Sequence, residues 1–285
     1  MTLTNTGSGG ADLLTQKSLA ADMVDIRGLT RGFGEVTAVA GVDLGIRKGE
    51  IFGLLGPNGA GKSTLIKLLT TLLPPSSGTA TVAGFDIRRD PARVREVIAY
   101  VPQLVSADGG LTAEENLRLF ARLHGIPRKE IGPRIQEALS FVGLLEAAKR
   151  AARTYSGGMV RRLEIAIALI HRPKILFLDE PTVGLDPIAR QLVWKQVQRL
   201  VRELGATILL TTHFMEEADA LCDRIAIMNR GKVSAVGTSA ELKAGTGISG
   251  ATLDDVFAAH SLAEAESSGG LREVAKSRRS IARLG

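Results

Sequence analysis

Residues 56–64 read Gly56-Pro57-Asn58-Gly59-Ala60-Gly61-Lys62-Ser63-Thr64. The run fits the spacing glycine, four residues, glycine, lysine, then serine or threonine, the pattern of a phosphate-binding loop. Each residue type answers a physical need. Glycines let the backbone curl until successive N–H groups point inward at phosphate oxygens. A helix opening directly after the loop adds the positive end of its dipole to the same anion. In this pattern Lys62 brings a mobile charge to β and γ phosphates, and the Ser63 hydroxyl ligates Mg2+. A glycine-rich turn beside a surface lysine could imitate the spacing, so the flanks decide. Upstream, Ile51-Phe52-Gly53-Leu54-Leu55 is an apolar run of the kind a strand needs when both sheet faces are covered. Downstream, Leu65, Leu68, Leu69 and Leu72 fall on one stripe, which predicts a helix from about Gly61 to Leu73, stopped by Pro74 and Pro75.

Further along, Lys174-Ile175-Leu176-Phe177-Leu178 forms another apolar strand and delivers Asp179-Glu180 at its C-terminal end. In an open parallel sheet that edge is where ligands bind. Two adjacent acids repel unless a cation sits beside them, so the pair suits a metal site. Asp179 is expected to hold Mg2+, and Glu180 to act as general base or to orient water. The alternative is an ordinary acid pair at the start of a helix before Pro181.

The remaining pattern alternates strand and helix. Strands are predicted at Met23 to Leu29, Val36 to Ile46, Thr79 to Val82, Ile98 to Val101, Thr207 to Thr211 and Arg224 to Met228. One more follows a turn at Arg230-Gly231. Helices are predicted from Gly158 to His171, Pro187 to Leu204 and Phe214 to Leu221. Between Leu104 and Thr154 the periodicity is helical, broken at Gly125 and Pro127. Such alternation calls for an α/β fold with a mainly parallel sheet and helices on both sides.

At this point the residues resemble the nucleotide-binding domains of ABC transporters. Tyr155-Ser156-Gly157-Gly158-Met159 is similar to that family's signature motif. Gln103 after Val101-Pro102 matches its Q-loop, Gly184-Leu185-Asp186 its D-loop, and His213 after Thr211-Thr212 its switch histidine. Phe33 lies where the family places an aromatic that stacks on adenine. The resemblance runs from about Val24 to Leu242. It implies a P-loop NTPase core of mainly parallel sheet, with an N-terminal antiparallel β subdomain and a helical insert at about residues 104–154. It further implies catalysis by Glu180, His213 and Gln103. ATP would be held by Phe33, residues 56–64, Ser156, Gly157, Gly158 and Asp186, and Mg2+ by Ser63, Gln103 and Asp179. Ser156 and the N–H groups after it would face ATP held by a second subunit, either an identical chain or a close paralogue. Tyr155 and Met159 depart from the usual leucine and glutamine and resemble the daunorubicin-exporter branch. Thr252-Leu253-Asp254-Asp255-Val256-Phe257 resembles that branch's closing motif. On this reading ABC-2 type membrane permease subunits carry a drug-like or lipid-like cargo, and this chain sits peripherally on the cytoplasmic face of the cell membrane. A non-transport ABC ATPase, a nucleotide sensor and an importer subunit are the alternatives.

Composition agrees. The 285 residues are 45% hydrophobic and 23% charged, enough for one large α/β domain and a smaller extension. One cysteine, Cys222, cannot form an internal disulfide. No apolar run is long enough to cross a bilayer as a helix. The net charge of +6 permits nucleic acid or an acidic membrane as partner, but aromatics at 4% leave few stacking platforms, and no nucleic acid is expected. The expected layout is a flexible tail over residues 1–20, an ATP-binding domain over 21–245, and a short extension over 246–285. A Ser/Gly linker, Ser267 to Gly270, precedes a basic tail with Arg272, Lys276, Arg278, Arg279 and Arg283.

Overall fold

The computed structural model describes residues 22–267, with side chains as far as residue 260. The expected N-terminal tail, the linker past Ser267 and the basic tail lie outside the described residues.

Two sheets share the chain. Strands β1 (Val24–Phe33), β2 (Val36–Ile46), β4 (Ser77–Val82) and β5 (Phe85–Asp86) pair antiparallel in the order β2-β1-β4-β5. The larger sheet uses β3 (Ile51–Leu55), β6 (Ile98–Val101), β7 (Ile175–Asp179), β8 (Thr207–Thr212), β9 (Arg224–Asn229) and β10 (Lys232–Gly237) in the order β10-β9-β3-β8-β7-β6. All its neighbours run parallel except the edge pair β9 and β10. The helices are α1 (Lys62–Leu69), α2 (Pro91–Val97), α3 (Ala113–Leu123), α4 (Arg128–Phe141), α5 (Gly157–Leu169), α6 (Pro187–Leu204), α7 (Met215–Leu221), α8 (Ser239–Ala244) and α9 (Leu253–Ser267). The strand that feeds the glycine loop is therefore central.

Side-chain alternation divides the core. On β7, Leu176 and Leu178 join the cluster of α3 to α6, while Ile175 and Phe177 join that of α1 and the antiparallel sheet. A strand's period of two sends successive side chains to opposite faces, which is why both faces of this apolar run are covered. The helical segment before the signature motif shares the first cluster with the sheet, so it has no separate core.

Three differences from the sequence reading are informative. Helix α1 ends at Leu69, not near Leu73. The Thr70 hydroxyl donates to the Ile66 carbonyl, and Thr71 adopts φ 61, so the chain leaves the helix before the prolines. Leu72, expected on the apolar stripe, is 57% exposed. Helices α2, α8 and α9 were not anticipated. The Thr252 to Phe257 run starts α9: the Thr252 N–H and hydroxyl both donate to Asp255 at 2.8 Å, and Asp255 N–H returns a bond at 3.3 Å. This cap aims Leu253 and Val256 into a cluster with Ala218, Ile225 and Ile227. Burying two such side chains contributes about 1.5–3 kcal/mol each, so the run fastens the C-terminal helix to α7 and β9.

A histidine pair joins α3 to the core. His171 stacks on His124 with centroids 3.9 Å apart, and its Nε2 lies 2.8 Å from the Ile98 carbonyl. Burial pushes the His171 pKa down to about 4; the Ile98 carbonyl opposes this, and His124 and Arg134 reinforce it. Unfolded, the ring titrates near about 6.5. Between those values the unfolded chain binds a proton that the native chain does not, so stability is lost as pH falls through the window, by up to about 3 kcal/mol. His171→Gln, which can still donate to Ile98, is expected to weaken this acid sensitivity. Urea midpoints at pH 7 and pH 5 check it: equal pH slopes in parent and variant would refute the assignment.

Candidate active site

The glycine loop is fixed by close backbone approach. A Cβ on Gly56 would collide with the Met228 carbonyl, and one on Gly61 with the Ala38 carbonyl. Gly61 also holds φ 103, a conformation that other residues resist. The loop is thus clamped between β2 and β9. Lys62 follows, its side chain 4% exposed. Its ammonium donates to the carbonyls of Gly56 at 2.8 Å and Pro57 at 3.1 Å, and stands 3.4 Å from Glu180 Oε1. Burial pulls its pKa below the ordinary lysine value, and the charges of Glu180 and Asp179 oppose that pull.

β7 presents its acids beside the loop. Asp179 Oδ1 accepts from the Ser63 hydroxyl at 3.0 Å and the Thr211 hydroxyl at 2.6 Å, and Oδ2 accepts from the Tyr100 hydroxyl at 3.4 Å. Burial pushes the Tyr100 phenol above its ordinary pKa, and Asp179 adds to the rise, so the phenol remains a donor. Glu180 is buried at φ 49, an unusual backbone state for a residue with a side chain. Its N–H donates to the Thr211 hydroxyl at 3.0 Å. Its Oε2 lies 3.3 Å from His213 Nδ1, a close polar contact without hydrogen-bond alignment. Glu180 thus stands between a lysine and a histidine.

Arg161 holds this strained turn from behind, and nothing in the sequence reading singled it out. It projects from α5 and is buried. Its guanidinium donates to the carbonyls of Asp179, Glu180 and Pro181 at 3.3, 3.1 and 2.8 Å. It also reaches the Pro102 carbonyl at 2.7 Å, next to Gln103, and Glu164 at 2.9 Å. Glu164 in turn accepts the Ser106 N–H at 2.7 Å. One fork of donors therefore ties the signature helix to the acidic turn and to the Gln103 loop. Tyr100 and Thr211 were missed for the same reason: their partners are distant in sequence.

An open cleft of about 450 Å3 brings together Phe33, Ala38, Asn58 to Thr64, Gln103 and Glu180. Phe33 is 45% exposed at its mouth. The remaining expected binding residues lie elsewhere. Ser156 caps α5 by accepting the Met159 N–H at 3.3 Å, and both Ser156 and Gly157 are exposed. Gly158 packs on α6, where a Cβ would stand 2.7 Å from that of Ala189. Asp186 caps α6 through the N–H groups of Ile188 and Ala189 at 3.0 and 2.9 Å. Within one chain the signature residues do not line the cleft.

A central strand feeding a clamped glycine loop, with a buried lysine and a neighbouring strand of acids, defines a P-loop nucleoside-triphosphate-binding protein. Comparison with known proteins narrows the class. A family model described as ABC transporter matches residues 39–183. The linearmycin resistance ATP-binding protein LnrL of Bacillus subtilis (strain 168) is 43% identical over 220 residues, covering 77% of this chain and 70% of that one. The daunorubicin/doxorubicin resistance ATP-binding protein DrrA of Streptomyces peucetius is 47% identical over 224 residues, covering 79% and 68%. A solved ATP-binding subunit of an ABC transporter superposes with a TM-score of 0.75 at 30% identity, covering 84% of this chain and 99% of that one. A dimeric ATP-binding cassette in a post-hydrolysis state with ADP and Pi gives a TM-score of 0.68 at 28% identity, covering 76% and 98%. This chain belongs to the ABC transporter family, as an ATP-binding, ATP-hydrolysing subunit.

Proposed function

We propose that the chain pairs head to tail with a second ATP-binding subunit, closes on two ATP molecules, and thereby powers export through separate ABC-2 type membrane subunits. The observation that carries this is the split of the binding residues. Phosphate loop, Gln103 and Glu180 share a cleft, whereas Ser156 and Gly157 face solvent outside it. A helix tip with free N–H groups is an anion site in search of an anion. The γ-phosphate of ATP held by the second subunit supplies one.

The roles follow from placement. Lys62 neutralises β- and γ-phosphate charge, Phe33 receives the adenine, and Glu180 orients or deprotonates water. His213 and Gln103 touch the γ-phosphate side. Asp186 acts from the start of α6 at the seam between subunits. Mg2+ fits the donor set: the Ser63 hydroxyl and Asp179 Oδ1 lie 3.0 Å apart, a pair of hard oxygen donors beside the phosphate loop. That suits an ion which keeps waters and takes phosphate oxygens from its substrate. When bound, it supplies positive charge to the transferring phosphoryl group. Gln103 completes that side of the site.

Past Gln103, Leu104 is 82% and Val105 62% exposed, and Leu119 and Leu123 on α3 are 43% and 71% exposed. No described helix is long and apolar enough to span a membrane. Exposed apolar side chains next to Gln103 and along α3 suit a protein partner, here the membrane subunit, with the chain peripheral at the cytoplasmic face. Drug-like or lipid-like cargo is inferred from the names of relatives, which include a Nod factor export ATP-binding protein. Detergent extraction of the tagged chain is expected to bring down a polytopic membrane protein, and Leu104→Ser with Val105→Ser to lose it while ATP binding stays. Recovery of ribosomes or DNA, and no membrane protein, would overturn the transport reading.

A further inference from the structure

The contact between α6 and α7 contains polar groups that the cleft does not use. Glu217 on α7 is fully buried. Its Oε1 accepts hydrogen bonds from Thr182 Oγ1 at 2.7 Å and from Trp194 Nε1 at 3.0 Å. Its Oε2 has no hydrogen-bond partner among the described residues. A carboxylate oxygen buried without a partner costs stability, whereas an apolar side chain at the same place would not. The residue therefore makes sense as a device for orientation, not for packing.

What it orients is legible from its partners. Thr182 lies two residues after Glu180, in the loop that leads to α6. Trp194 lies on α6 itself. Glu217 lies on the helix that opens just after His213 and Phe214. A second grip runs alongside: Phe214 rests on the His213 ring with centroids 4.1 Å apart, and the Arg190 guanidinium of α6 stands 4.8 Å over the Phe214 ring. At its first turn α6 also meets the signature helix, where Gly158 has no room for a Cβ against Ala189. The signature tip, α6 and the His213 loop are thus in unbroken contact.

We propose that Glu217 is a positioning residue: through Thr182 and Trp194 it registers the loop after Glu180 and helix α6 against the helix behind His213, and so sets the Glu180–His213 contact. The inference rests on the catalytic and paired-subunit roles proposed above and deepens them. It gives the partner's nucleotide, met at the signature tip, a packed route to this chain's own histidine. Coupling of this kind needs contiguous packed groups biased by both sites, and these residues supply them.

Steady-state kinetics and tryptophan emission test it, because Trp194 is the chain's one tryptophan. Glu217→Ala and the near-isosteric Thr182→Val are expected to lower kcat by about tenfold and about fivefold while KM for ATP stays within about twofold. Glu217→Gln retains an acceptor oxygen and is expected to recover most of the lost rate. In the Glu180→Gln background, ATP is expected to shift the Trp194 emission, and adding Glu217→Ala to abolish that shift. Parental kcat in both Glu217→Ala and Thr182→Val overturns the proposal. So does a loss in Glu217→Ala that tracks a fall in folded protein and is not recovered by Glu217→Gln. If Glu180→Gln itself keeps parental turnover, the catalytic reading fails and this inference fails with it. If Glu180→Gln is inactive but the Glu217 and Thr182 variants are unimpaired, only this inference fails.

Discussion

Glu180→Gln is expected to bind ATP as the parent does and to turn it over at least about 100-fold more slowly. The physical reason lies in what the substitution keeps. Glutamine has the same shape and can hold the φ 49 backbone as well as glutamate does. The Thr211 hydroxyl still receives the residue's N–H, and Arg161 still binds its carbonyl. What is lost is a basic oxygen beside the phosphate loop, able to take a proton from attacking water. The loss should therefore fall on kcat and spare binding. Since ATP is no longer consumed, the paired form should persist, and size exclusion in ATP should give about twice the monomer mass. Parental turnover would remove Glu180 from the catalytic role. Slow turnover without pairing would retain the role and remove the shared-site model.

Lys62→Ala is expected to fail for a different reason. The ammonium is buried and already held by two loop carbonyls and Glu180, so it is oriented before ATP arrives. Its removal takes away a charge-assisted contact to phosphate and leaves the buried Glu180 without its cation. ATP affinity should fall about 100-fold, the size expected when a charged hydrogen-bonding group is lost from such a site. Equilibrium binding of a fluorescent ATP analogue separates this outcome from that of Glu180→Gln. Unaltered affinity in Lys62→Ala would mean that the loop is not the phosphate cradle.

Much of this arrangement could be read before any coordinates. Ile51 to Leu55 and Ile175 to Leu178 announced buried parallel strands because both of their faces are apolar, and they flank β8 in the sheet. The break between α3 and α4 was visible in Gly125 and Pro127, and the first residue of α6 in Pro187, although the cap that Asp186 makes there was not. The phosphate loop and the acids of β7 needed only spacing and context. Short elements escaped. Helix α8 has six residues, too few for a periodic stripe, although Thr238 and Glu241 form a capping box that could have marked it. Helix α9 begins with the same device at Thr252 and Asp255, and those residues were noticed for their resemblance and not for the cap they make. Residues whose meaning is purely tertiary could not be read at all. Arg161 looks like one more basic residue on a helix until its carbonyl partners at 102 and 179–181 are brought to it by folding. Trp194 reads as packing, and only its bond to Glu217 shows otherwise.

The grip of Arg161 has a mechanical consequence. Its one rigid plane of donors spans the main chain just before Gln103 and the main chain of Glu180 itself. A guanidinium cannot stretch. A membrane partner that tugs on the Gln103 segment therefore pulls, through one side chain, on the turn that carries Glu180. A cargo-laden permease could then time the chemistry simply by where it holds one loop.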